Sequence, residues 1–185
     1  MSEPKDIEHK DTFYSQLFSK AWVTMAIIAV LSFISLWLGP MLKDYIWLSW
    51  SILVFALIKT FFIVRLSFDQ LMKIIGQSHL LSHILVLFGL LISLIIISFA
   101  IDFTSLYFFD KSNFKSEQYL NGVGLAVFFE YLYLSTITFS SVGYGDIVPS
   151  STLSKTLVML EVALRFFVLV FGIANINQIR INNEE

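Results

Sequence analysis

The sequence predicts an all-α membrane protein with four membrane-crossing helices and one further helix that enters the bilayer and turns back. Three observations carry this. Hydrophobic residues make up 57% of the 185 residues and charged residues only 14%, a balance that soluble domains do not show. Four segments approach or exceed the roughly 20 apolar residues that a crossing requires. Between the third and fourth of these, a short apolar segment runs directly into Ser140-Ser141-Val142-Gly143-Tyr144-Gly145-Asp146. A loop of that kind at membrane depth survives only where protein or a ligand satisfies its backbone groups.

The same composition excludes several functions. A net charge of −2 gives no footprint for nucleic acid, and the absence of cysteine removes disulfides, thiolate metal sites and cysteine nucleophiles. No face combines residues for acid–base or nucleophilic chemistry, so neither an enzyme nor a bound cofactor is expected. Residues 1–20 are polar and mix both charges, without the basic start and small-residue cleavage site of a signal peptide. The first apolar segment is therefore expected to stay as an anchor. The end at Glu184-Glu185 carries the expectation that no cytoplasmic ligand-binding domain follows.

Taken in order, residues 1–20 read as a cytoplasmic or interfacial segment, with Phe13, Tyr14, Leu17 and Phe18 as its apolar side. Residues 21–64 read as a hairpin of two crossings, 21–38 and 45–64. The second carries only Lys59, placed to snorkel toward the interface. Residues 65–79 read as a linker helix on the inner surface, because Phe68, Leu71, Met72 and Ile75 recur at helical spacing. Residues 80–101 form the cleanest crossing, about 33 Å of helix at 1.5 Å per residue. The polar, aromatic outer loop 102–121 receives no assigned structure. A re-entrant helix over 123–138 leads into the glycine loop 140–146, and the last crossing lies within an inner helix over 153–180. Lys5, Lys10, Lys20, Lys59, Arg65, Lys73 and Arg180 fall on one side, against Lys43, Lys111, Lys115 and Lys155 on the other. The positive-inside rule then makes both termini cytoplasmic.

The loop itself has a physical reading. Side-chain sterics alternate the carbonyl direction along an ordinary strand. Gly143 and Gly145 reach positive φ freely and can turn alternate peptides, so that a row of oxygens faces one way. One row is a poor ligand set, whereas several copies around an axis would stack rings of oxygen around a dehydrated cation.

These residues resemble the potassium-channel pore family: Tyr133-Leu134-Ser135, Thr138, Ser140-Ser141-Val142-Gly143-Tyr144-Gly145-Asp146 and Pro149 fall in its register of pore helix, filter and outer mouth. The resemblance covers residues 80–180, taken as the pore domain. It implies a homotetramer, since one filter segment is present per chain. It also implies a plasma membrane location of bacterial type, and K+ bound at Ser141, Val142, Gly143 and Tyr144, with Gly145 completing the filter. Tyr133, Thr138, Ser140 and Asp146 would support the filter, Tyr133 by a hydrogen bond to Asp146. Most family members have threonine where this chain has Ser140 and Ser141, which keeps the innermost hydroxyl and loses its methyl group. A weakly selective cation channel and a non-conducting accessory protein are the competing readings.

The inner helix carries Glu161 and Arg165, each costing roughly 2.5–3.5 kcal/mol at a helix centre on insertion scales. At i, i+4 with glutamate first they are expected to pair with each other, structurally or as a gating element. Val162, Phe166, Leu169 and Ile173 share one helical stripe, expected to line the cavity, with Asn177 at the inner mouth and Glu161 pointing well away. Arg165 stands at the family's usual hinge-glycine position, which leaves Gly172 as the available hinge. A voltage sensor is not expected, since Lys59 and Arg65 do not form a series of cations at every third position. His79 and His83 read as interfacial rather than as a pH sensor.

Overall fold

The computed structural model describes residues 22–37, 46–77, 81–116 and 124–182. Five helices occupy most of this: α1 (Trp22–Trp37), α2 (Ile46–Gln77), α3 (Leu81–Phe109), α4 (Gly124–Phe139) and α5 (Thr152–Asn182). Trp50–Phe68 and Leu85–Phe109 have the length and hydropathy of membrane spans. The protein is thus a mostly helical membrane protein. Residues 1–21, 38–45, 78–80, 117–123 and 183–185 lie outside the described residues, and with them the expected interfacial segment around Phe13 and the residue His79.

Two elements run further than the sequence predicts. The linker expected over 65–79 is no separate element: α2 continues unbroken for 32 residues to Gln77. Neither glycine nor proline occurs between Ile46 and Gly76, so nothing interrupts the hydrogen-bond ladder. Likewise α3 does not stop at Ile101 but runs two further turns to Phe109, so that Asp102, read as the start of the outer loop, lies inside the helix. What ends α3 is Asn113, whose amide donates to the carbonyls of Leu106 (3.0 Å) and Asp110 (2.8 Å). Asp110 caps the short 3₁₀ turn Lys111–Asn113 by accepting from the Ser112 amide at 2.8 Å.

The outer loop also contributes a strand. β1 (Phe114–Ser116) pairs antiparallel with β2 (Ile147–Pro149), with Phe114 opposite Pro149 and Ser116 opposite Ile147. The all-α expectation therefore gains a small two-stranded ribbon. Ser151 caps α5 by accepting from the Ser154 amide at 3.1 Å, and the Ser154 hydroxyl donates to the Asn113 carbonyl at 2.8 Å. The end of α3, the ribbon and the start of α5 are thereby tied at one node.

The core lies between α3 and α4. Ile95, Phe99, Phe103 and Leu106 recur on one stripe of α3 and are almost wholly buried. Phe114 bridges from β1, with its ring 5.8 Å from Phe103 and 4.8 Å from Tyr131 of α4. Removing Phe103 would cost about 3–5 kcal/mol by cavity formation. Outward-facing apolar side chains such as Trp22, Phe33 and Phe61 are what a lipid surround accommodates. In lipid, helix association rests on close packing and polar ties rather than on the expulsion of water. Buried polar contacts are therefore the informative ones in this molecule.

Candidate functional site

The glycine loop begins as a helix end. The Val142 amide donates to the Ile137 carbonyl (2.9 Å) and the Ser141 amide to the Thr138 carbonyl (3.0 Å), the paired bonds of a Schellman motif closing α4. That motif needs a left-handed residue at the position Ser141 occupies, and Ser141 has φ 60°. Gly143 (57°) and Gly145 (79°) share that hand, while Val142, Tyr144 and Asp146 do not. Positive and negative φ thus alternate through six residues. Alternation of hand turns successive peptides the same way, whereas a strand of uniform hand turns them opposite ways. Sequence reasoning found the two glycines and missed Ser141, because only glycine advertises positive φ.

Both ends of the loop are held. The C-terminus of α4 fixes one, and β2, paired to β1, fixes the other. Residues 140–146 are all exposed on the single chain, Tyr144 by 71%. Tyr133 lies parallel to Tyr144, with ring centroids 6.5 Å apart and 1° between planes. A hydrogen bond to Asp146 pushes the Tyr133 phenol up to about 12, with burial and the Asp146 charge adding to it. Asp146 also accepts from the Ile147 amide at 3.0 Å. An open recess of about 320 Å³ runs between the loop and α5, with Thr138, Ser141, Gly143, Gly145, Val158 and Val162 in its wall.

On α5 the burial follows helical phase. Leu157, Glu161, Leu164, Val168 and Gly172 form the buried stripe, while Phe166 and Leu169 are exposed and Val162 is half-buried. Ile173 and Asn177 belong to α5, but their side chains lie outside the described residues. Gly172 is a place of close approach: a Cβ there would come within 2.8 Å of the Phe88 ring of α3. One turn earlier, the Phe167 ring packs against Phe68 of α2 with centroids 5.5 Å apart.

The charges do not sit where the sequence suggests. Glu161 and Arg165 are not paired. Glu161 is fully buried, with Oε1 2.5 Å from the Ser135 hydroxyl of α4 and Oε2 without a partner. Arg165 is half-exposed, its guanidinium 5.2 Å from the Phe166 ring. A helix of uniform phase aims position 161 at α4, and the tertiary partner prevails over the neighbour four residues on. Lys59 does not snorkel either. It is 1% exposed and binds Asp102 at 2.5 Å, with the Ser32 hydroxyl of α1 at 3.3 Å. The signal for this pair was available as two isolated opposite charges in adjacent apolar helices.

Among the described residues no group of histidine and carboxylate side chains could hold a metal ion. The loop of alternating hand follows a short helix and is braced on both sides between long apolar helices. Residues 90–181 match the family model described as an ion channel. This segment is therefore similar to an ion-channel domain, and it holds the residues that carry the resemblance to the potassium-channel pore family. Comparison with curated proteins and with solved structures gave no match. The ion-channel domain takes in most of α3 with α4, the loop, β2 and nearly all of α5, and leaves α1 and α2 outside. Lys59–Asp102 therefore joins the domain to the preceding helices, whereas Ser135–Glu161 lies within it.

Proposed function

We propose that the protein is a potassium-selective channel assembled from four copies around a central axis. The observation that carries this reading is the alternation of hand at Ser141, Gly143 and Gly145 within the order Ser-Val-Gly-Tyr-Gly-Asp. Four such rows give stacked rings of oxygens from Ser141, Val142, Gly143 and Tyr144. Each ring replaces the hydration shell of a K+ ion, and the ion satisfies the backbone in return. The permeant ion is the only small partner needed.

Four copies also supply a role for exposed apolar surface on α4 and α5. Leu125, Phe129 and Met159, all strongly exposed on one chain, would face neighbours or lipid. The C-terminal end of α4, with its partial negative charge, would point toward a cation in the cavity below. α5 would line that cavity with Val162, Phe166 and Leu169. Four crossings with both termini in the cytoplasm fit the lysine and arginine asymmetry, and place Asp146 at the outer mouth of a plasma membrane channel.

The test is a flux assay. Vesicles containing the purified protein and loaded with K+ are diluted into Na+, and accumulation of tracer rubidium against the resulting gradient is followed. Uptake that is absent from empty vesicles and collapses when the inner K+ is replaced by Na+ supports the proposal. Equal uptake of sodium tracer would favour a weakly selective cation channel, to which the two serines in place of threonine are the pointer.

A further inference from the structure

We infer that Glu161 carries its proton and donates it to Ser135, so that the inner helix α5 is tied to the pore helix α4 by a neutral hydrogen-bond relay. The inference comes from counting protons. The Ser135 Oγ lies 2.9 Å from the Ile96 carbonyl oxygen of α3 and 2.5 Å from Glu161 Oε1. Both are hydrogen-bond distances between oxygens, and each contact needs one proton. A carbonyl oxygen has none to give, and a serine hydroxyl has one. If Ser135 donates to an ionised Glu161, two lone-pair oxygens face each other at 2.9 Å. If Ser135 donates to Ile96, Glu161 must be the donor to Ser135. Only the second arrangement gives each contact a proton of its own, where a single Ser135 proton would otherwise be shared between two acceptors.

The surroundings agree. Glu161 is fully buried, and its Oε2 has no partner. An ionised carboxylate offers about four acceptor sites, of which one would be used. A buried charge needs a paired countercharge, and the charged groups around Glu161 do not provide one. On α2 and α3, Lys59 is held by Asp102 at 2.5 Å. On α5, Arg165 lies over the Phe166 ring. On α4, Tyr131 is a buried neutral phenol.

The relay Glu161–Ser135–Ile96 joins α5, α4 and α3 directly behind the helix whose end sets the loop geometry. Glu161 is thus a positioning residue, acting on the loop through Ser135, which lies six residues before the left-handed Ser141. Its consequence for ion selection rests on the channel reading; its protonation does not.

The experiment is infrared difference spectroscopy on the full chain in lipid vesicles at neutral pH, wild type against E161Q and against S135A. The expected E161Q difference contains the carbonyl stretch of a protonated carboxylic acid, present in wild type and lost in the variant. In S135A the same band shifts, because the acid has lost its acceptor. Carboxylate stretches in place of the acid band, in either difference, overturn the inference. Thermal unfolding in detergent supplies the second readout. Glutamine can donate to Ser135 as a protonated acid does, so E161Q is expected to retain the wild-type midpoint that E161A loses. Equal losses in E161Q and E161A would overturn the inference independently of any flux. If the wild type carries no current, the channel reading fails while the infrared result still decides the proton.

Discussion

Replacing Lys59 with methionine leaves Asp102 as an unpaired carboxylate in an apolar interior, and the size of the penalty follows from the geometry. At 2.5 Å and an effective dielectric of 20, the attraction is about 7 kcal/mol. Desolvation of both ions offsets much of this, and breaking one side of a buried pair typically costs about 3–5 kcal/mol. The same loss is expected for Asp102→Leu, which strands Lys59. Changing both residues at once removes the uncompensated charge, so the double variant K59M/D102L is expected within about 1–2 kcal/mol of wild type or above it. The assay is a double-mutant cycle on unfolding in mixed micelles. Additive losses would refute the reasoning, because they would mean that the two side chains contribute independently. Strong coupling with recovery would establish that the first two helices are fastened to the ion-channel domain at this point.

Three further variants test separate parts of the structure. Gly143→Ala meets no atom within 4 Å, but φ is 57°. The cost is therefore backbone strain of about 1–2 kcal/mol, expected to abolish rubidium flux while sparing expression and assembly. Gly172→Ala drives a methyl group to 2.8 Å from the Phe88 ring, an overpacking of about 1–3 kcal/mol. Thermal unfolding should show the loss and its partial recovery in G172A/F88L. Tyr133 is held protonated toward about 12 by Asp146. A phenol whose folded value is raised contributes stability below its ordinary value near 10, and loses it as pH rises toward 12. A pH series of unfolding midpoints should show that alkaline fall in wild type, with a flatter profile in Y133F.

How much of this was legible depended on whether the signal was local. The short helix expected over 123–138, and found at Gly124–Phe139, announces itself through an apolar run ended by small residues and glycines. Gly143 and Gly145 disclose their conformation by being glycine. Ser141 does not: its left-handed backbone follows from its place in the Schellman motif, set by hydrogen bonds to Ile137 and Thr138. The three-residue strands were illegible because their pairing partner lies more than 30 residues away. Asp102 misled because a charge at the end of an apolar run is ordinarily a loop marker, and its meaning depends on Lys59 in another helix. Glu161 and Arg165 misled in the opposite sense. Spacing four apart permits a pair on a free helix, but the packing of α4 over position 161 decides the partner.

The reversal potential of the reconstituted protein, with K+ on one side of the membrane and Na+ on the other, tests the carbonyl-row reading most directly. Rings formed by Ser141, Val142, Gly143 and Tyr144 predict a value close to the potassium equilibrium potential, moving toward zero in G143A. A steady current reversing near zero in the wild type would contradict it, because a row of oxygens in alternating hand would then not be selecting the ion.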